Sequence, residues 1–399
     1  MKVGLPLRLP GPVSQRLMEN VRAYQSIMSG WYSELRQVPI LAPLTVETAD
    51  NPDRSVASFF SGGMDSFYTA LEHDAEIEHL VFIHGYDVPL ANLALRRTVI
   101  AGVRGAAADL GKPLLQVETN VRDLLDEYVL WGEQAHGAVL GAVALLLSPQ
   151  FHKVYIAATG THSRVQPWGS HPDCDPLWSS AEVQVVYDGA TPRNLRAARI
   201  AQNPIAMRWL RVCWENRGGK YNCCQCGKCM RTMIYLHLVG ALERCATLEH
   251  TLDYDRIAGM ALPDRSVRAA IEPLLAETVR KGNEPALEQA LRACLSRARL
   301  AAQEQRIGNM RQANFYVRPA TRQKLTDESR PKVILVGGFS GSWNFGDLLQ
   351  LHGALRWHEQ RAGGLVLCPL HVLRIAPSRE YVDDLGRVFG TGDWLFWGG

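Results

Sequence analysis

The chain has 399 residues, 47% hydrophobic and 21% charged, which is the composition of a globular protein of two or three domains with room for a sizeable core. A formal net charge of +3 is too small to argue for nucleic acid, which is not expected as a partner. The opening MKVGLPLRLPGP has no apolar secretory core, and the longest apolar run, 138–147, is about half of a membrane span of roughly 20 residues. A cytoplasmic protein with no membrane partner is expected.

In chain order, residues 1–50 read as a strand, a helix and a strand, with Ser14 as N-cap of QRLMENVRAYQSIMSGW and VPILAPLTV as strand-like. Asn51-Pro52-Asp53 then punctuates the chain. From there strands alternate with helices: strands at 55–60, 80–84, 114–119 and 154–159, helices at 65–73, 91–110 and 133–147. This alternation predicts a parallel sheet with helices on both faces, and such sheets bind ligands at the carboxyl ends of their strands. Helices are expected again at 230–243, 269–279 and 285–303. A basic stretch over 292–324 reads as a solvated helical linker, and a fresh strand starts at 332–336.

Directly after the first core strand stands Ser61-Gly62-Gly63-Met64-Asp65-Ser66, followed by a helix. Glycines let the backbone turn tightly, successive N–H groups converge, and the helix N-terminus adds partial positive charge. Ser61 and Ser66 add hydroxyl donors, and Asp65 can hold Mg²⁺ or a backbone N–H. Without a lysine this is not a Walker A loop. In this setting the sequence resembles the PP-loop ATP pyrophosphatases, whose fingerprint is SGGxDS, over roughly residues 55–245. The resemblance implies a HUP-type α/β fold, ATP with Mg²⁺, and cleavage between the α- and β-phosphates. It places adenine near Ile83, His84 and Gly85, and the α-phosphate near Gly160, Thr161 and His162.

Cys213, Cys223, Cys226 and Cys229 follow as C-x9-C-x2-C-x2-C. Two thiolates on each tight turn suit a tetrahedral metal, and four ligands leave no open position. A structural Zn²⁺ is expected, with an iron–sulfur cluster as the lesser alternative. Cys224 is surplus, either a substitute ligand or a thiol; Cys174, Cys245, Cys294 and Cys368 read as small core residues. A four-cysteine knuckle behind such a domain resembles the 7-cyano-7-deazaguanine synthases. Pro172-Asp173-Cys174 matches the start of that family's PDCRPEF stretch, but Asp175 stands where the family has arginine and Leu177-Trp178 replaces Glu-Phe. The reaction type is carried over and the substrate is not. His171, Asp173 and Asp175 are candidate substrate contacts, against the alternative of an Asx-turn loop. Arg231-Thr232 after the last cysteine is either a phosphate contact or helix surface.

Residues 333–349, VILVGGFSGSWNFGDLL, resemble the opening of polysaccharide pyruvyltransferase domains, with Asn344-Phe345-Gly346-Asp347 as N-x-G-D. About 70 residues is short for such a domain, so an incomplete unit is expected there. The expected organisation is an N-terminal extension (1–50), an ATP-binding domain with a metal knuckle (51–250), a helical connector (251–330) and a partial second α/β unit (331–399). The expected activity is ATP-dependent adenylation of a small-molecule or peptide carbonyl or carboxylate, with Asp65, Ser61 and Ser66 at the reacting phosphates, then transfer to an N or S nucleophile. Sulfur insertion into RNA, a non-catalytic ATP-binding module and a glycan-modifying protein are the alternatives. A homodimer is compatible with all of them.

Overall fold

The computed structural model describes residues 1–45, 53–158, 167–189, 191–261, 270–298, 333–338, 365–370 and 394–398. They divide into two units, Met1–Leu295 and Ser296–Gly399.

In the first unit the two-residue strands β1 (Leu7–Arg8) and β2 (Val13–Ser14) precede α1 (Gln15–Trp31) and pair in parallel with β3 (Ile40–Leu41) and β4 (Leu44–Thr45). Ser14 caps α1 as expected, its Oγ accepting from Leu17 N–H at 3.3 Å. The single strand expected after α1 is two short ones, because Pro43 between them has no N–H to donate.

Then come β5 (Ser55–Phe59), α2 (Met64–Glu72), β6 (His79–His84), α3 (Leu93–Asp109), β7 (Leu114–Glu118) and α4 (Val121–Leu125). A π-turn over Trp131–Ala135 leads into α5 (His136–Leu146), followed by β8 (Phe151–Ala157), β9 (Gln184–Asp188), α6 (Arg193–Ala201), α7 (Pro204–Trp209) and α8 (Gly227–Leu238). Next are α9 (Tyr254–Ala258), α10 (Glu272–Lys281) and α11 (285–298), the unit ending within α11 at Leu295.

Strands β5 to β9 form a five-stranded sheet in the order β7-β6-β5-β8-β9, every pairing parallel. Successive side chains alternate between two cores. Val56, Phe60, Leu80 and Phe82 pack on one face with Phe67 of α2, Val99 of α3, Ile200 of α6 and Ile234 of α8. Ala57, Phe59, Val81 and Ile83 pack on the other with Val143 and Ala144 of α5. Chain order runs outward from β5 in both directions, through β6 to β7 and through β8 to β9. The crevice between β5 and β8 is therefore the switch point where open α/β sheets take ligands.

Two elements depart from expectation. β9, a fifth strand, and α6 after it were not anticipated. The stretch expected as a connector also starts inside the core: Leu274 of α10 and Leu287 and Leu291 of α11 are fully buried in the same cluster as Phe67 and Ile234. Residues 251–295 thus belong to the first unit, because their apolar stripes cover the α2–α8 layer.

The second unit shows a parallel sheet in the order β11-β10-β12, from β10 (Val333–Gly338), β11 (Leu365–Leu370) and β12 (Trp394–Gly398). The strand expected near 332–336 is present, and Asn344 to Asp347 lie outside the described residues. No helix among the described residues is long and apolar enough to cross a membrane.

Candidate functional site

The 61–66 turn sits at the carboxyl end of β5, on the switch point. Gly62 has φ +75°, a left-handed conformation that a side chain would strain, and its carbonyl accepts from Arg211 N–H at 2.7 Å. Gly63 is the N-cap of α2 with no side-chain cap, so the first-turn amides of Met64, Asp65 and Ser66 have no intrahelical acceptor. Ser61 Oγ accepts from Gly63 N–H at 3.3 Å and lies 3.4 Å from Ser66 Oγ, while Ser66 Oγ donates to Gly63 O at 3.1 Å. The expected loop residues are therefore brought together on one turn.

Asp65 is held by two arginines. Both of its oxygens are engaged, Oδ1 by Arg196 Nη1 at 2.7 Å and Oδ2 by Arg193 Nη2 at 3.1 Å. Arg196 is 2% exposed and spends its other donors on main chain: Nη1 also donates to Ala158 O at 2.6 Å, Nε to Thr191 O at 2.8 Å, and Nη2 to Gly189 O. It ties the end of β8 and the β9–α6 loop to the start of α2. Arg193, one turn earlier on α6, is 37% exposed, and Asp65 is its one ion-pair partner among the described residues.

Two further arginines lie near the turn, Arg211 by its main chain at Gly62 and Arg231 on α8, its Nε donating to Gly227 O at 3.0 Å. Arg211 is 4% exposed; Nη2 donates to Asn216 Oδ1 at 2.8 Å, and its buried Nε has no hydrogen-bond partner among the described residues. Burial, then the charge of Arg193, pull Arg231 of α8 down to about 10, which still leaves it protonated at neutral pH. Arg193 and Arg196 thus pair with the loop's one carboxylate, the main chain of Arg211 holds Gly62, and Arg231 lies close enough to feel the charges of Arg193 and Asp65, a cationic surround suited to an anion. Arg193, Arg196 and Arg211 were missed from sequence. The available signal was five arginines and no acid between Asp188 and Glu215.

Cys213, Cys223, Cys226 and Cys229 are all buried, with their sulfurs within 4.8 Å of one another. Cys223 Sγ and Cys229 Sγ lie 4.0 Å apart. Tetrahedral thiolates at about 2.3 Å from Zn²⁺ stand about 3.8 Å from each other, so the set fits a metal such as zinc. Main-chain N–H groups already point at the sulfurs: Asn216 at Cys213, Gln225 and Cys226 at Cys223, and Cys229 at Cys226. Hydrogen bonds from Cys226 and then Cys229 pull the Cys213 thiol down, and the same contacts push Cys226 and Cys229 up, so the bare cluster favours one thiolate that its neighbours share. Cys224 is not in the cluster. It turns away at φ +55°, and its sulfur accepts from Glu249 N–H at 3.3 Å.

His84 ends β6, while Ile83 points into the opposite core. The turn after them needs Gly85: its φ is +97°, and a Cβ there would lie 1.9 Å from Thr119 O. His84 lies 9% exposed at a cleft of about 380 Å³ lined by Leu93, Arg96, Arg97, Ile100 and Gln116. With the Gln116 amide turned, its NH₂ donates to His84 Nε2 at 3.2 Å and its oxygen accepts from Arg104. Gly160, Thr161 and His162 lie outside the described residues.

His171, Asp173 and Asp175 form their own cluster against α1. The His171 ring meets Trp31 edge-on at 4.6 Å, and the neighbouring Cys174 packs with Tyr24, Met28 and Leu35. Asp173 is 69% exposed, whereas Asp175 is fully buried, accepting from Ser170 Oγ at 2.6 Å and His171 N–H at 3.2 Å. Burial pushes the Asp175 carboxyl up to about 7 from its ordinary 3.8. The folded chain then keeps a proton that the unfolded chain releases above pH 3.8. This group's contribution is fullest below that value and falls until about pH 7. Asp175→Asn is expected to remove the slope and raise stability at pH 7.5 by about 2–4 kcal/mol. Urea unfolding at pH 4.5 and 7.5 checks this, and a wild-type-to-variant difference equal at both would refute it.

No protein-family model matches the chain, and no curated protein matches it.

Proposed function

We propose that the first unit is a PP-loop domain of HUP type that binds ATP on the 61–66 turn and transfers its adenylyl group to an acceptor, releasing pyrophosphate. The observation that carries this reading is the glycine turn at the sheet's switch point, bordered by Arg193, Arg211 and Arg231. Free first-turn amides and the Ser61 and Ser66 hydroxyls suit the β- and γ-phosphate oxygens. Arg193 and Arg231 suit the charge that builds on pyrophosphate as the bond from the α-phosphorus to its bridging oxygen breaks. The attacking group is an acceptor oxygen, a carboxylate or amide of a small molecule or peptide. An N or S nucleophile then displaces AMP.

Asp65 does not fit a Mg²⁺ ligand in this arrangement, since guanidinium groups hold both of its oxygens. No step is assigned to protein-bound Mg²⁺. The four cysteines fit Zn²⁺, which would be held by Cys213, Cys223, Cys226 and Cys229 and would brace the fold.

Calorimetric titration with ATP, AMP and pyrophosphate tests the site. ATP and pyrophosphate should compete, AMP should bind much more weakly, and Arg193→Ala should weaken ATP about tenfold while leaving unfolding nearly unchanged. Failure of pyrophosphate to compete with ATP would sink the assignment. ATP binding without pyrophosphate release across a panel of carboxylates would leave a non-catalytic nucleotide module.

A further inference from the structure

Strand β7 is an edge of the five-stranded sheet, with no strand on its outer side among the described residues. Leu80 N–H donates to Pro113 O and Thr119 N–H to His84 O, so odd-numbered residues face β6. The N–H and C=O groups of Leu114, Gln116 and Glu118 are then directed outward. Proteins usually blunt such an edge with a lysine, a proline or a bulge. β7 reads LLQVE, and its register with β6 is unbroken.

Beside this edge runs α3, which has no acidic residue from 93 to 108. Arg97, Ala101, Arg104 and Ala108 are exposed along one stripe of it, at intervals of three and four. The cleft of about 380 Å³ lies between α3 and β7, with Leu93, Arg97 and Ile100 on one side and Gln116 and Glu118 on the other. Arg96 is neutralised by Glu118, and Arg104 reaches the Gln116 side chain. Arg97 has neither an ion pair nor a hydrogen bond among the described residues.

We propose that β7 and the α3 groove form a docking site for an acidic, extended peptide segment, which adds to the sheet as a sixth strand. Main-chain hydrogen bonds to residues 114, 116 and 118 hold the segment, and every second side chain projects onto the α3 face. Acidic residues there meet Arg97 and Arg104, and apolar ones fit Leu93 and Ile100. A second copy of this chain is a poorer occupant. A two-fold axis through Gln116, perpendicular to the sheet, keeps both α3 helices on one face and brings their Arg97 and Arg104 side chains together. The proposal uses neither the 61–66 turn nor the cysteines, but His84, expected beside adenine, opens onto the same cleft, so a nucleotide base and the peptide would compete at that end of the groove.

The test is fluorescence anisotropy of the full chain with a labelled peptide of alternating glutamate and valine, beside its lysine counterpart. The acidic peptide should bind, with affinity falling as salt rises, and the lysine peptide should not. Arg97→Glu with Arg104→Glu should weaken binding about tenfold. Gln116→Pro, which deletes one outward N–H outside the β6 ladder, should weaken it similarly with the melting temperature held. In case that variant fails to fold, hydrogen exchange of the wild type should show the Leu114, Gln116 and Glu118 amides slowed by the acidic peptide. Equal binding of both peptides, no slowing at those amides, or displacement of the peptide by a short single-stranded RNA would overturn the proposal. So would a concentration-dependent dimer that Gln116→Pro dissociates.

Discussion

Replacing Asp65 with alanine should destabilise the first unit by about 3 kcal/mol, because it strands a buried guanidinium. Arg196 is 2% exposed and its remaining donors are fixed on the carbonyls of Ala158, Gly189 and Thr191, so it cannot turn to solvent when Asp65 is lost. Arg196→Met should be damaging for the complementary reason, since it strands those carbonyls and leaves Asp65 with Arg193 alone. The double variant should cost less than the sum of the two single ones, because neither leaves an unpaired charge for the other to expose. Chemical denaturation of the four proteins reads this directly. Strict additivity would mean that the pair is not coupled. Alongside ATP titration, the same denaturation separates folding from function: Asp65→Ala should weaken nucleotide binding together with stability, whereas Arg193→Ala should weaken it about tenfold with stability held.

The second large effect is expected at Cys226. Its sulfur is one of the four clustered ligands and also caps α8, accepting from Cys229 N–H at 3.4 Å. Cys226→Ser should bring metal content down, and the melting temperature with it. Structural zinc contributes on the order of 10 kcal/mol in small zinc domains, although only part of that would be felt in a unit with a large core of its own. ATP affinity should fall as well, because Arg211 lies two residues before Cys213 and Arg231 two residues after Cys229. Metal analysis by mass spectrometry, thermal unfolding with and without chelator, and ATP titration form one set. A metal-free variant that melts at the wild-type temperature would remove the bracing role.

Much of this was legible in the sequence because it is local. The strand-to-helix glycine turn, the capping Ser14 and the cysteine spacing are each set by a few neighbouring residues, and the alternation of β5 to β8 with helices follows from periodicity. The arginines around the turn were not legible in the same way. Arg193, Arg196 and Arg211 meet residues 61–66 only because β9 places α6 beside α2 and because residue 211 runs under Gly62, both long-range facts. The acid-free run around them is visible in the sequence but does not say which loop it meets, and the longer basic stretch at 292–324 competes with it, most of which lies outside the described residues. Residue type leaves Asp65 open to Mg²⁺ or a backbone N–H, and its two arginine partners follow only from the fold. Asp175 shows the same limit. Its exchange for an expected arginine was visible, whereas its complete burial depends on α1, more than a hundred residues away.

The two-residue step from Cys229 to Arg231 lies within α8, so the spacing also works as an angular setting. Each residue turns an α-helix by about 100°, and a single insertion between the two would swing the guanidinium well away from the loop while leaving all four sulfurs free to close on a metal. Length variation should therefore be tolerated on the long C-x9-C side of the knuckle and forbidden on its short downstream side.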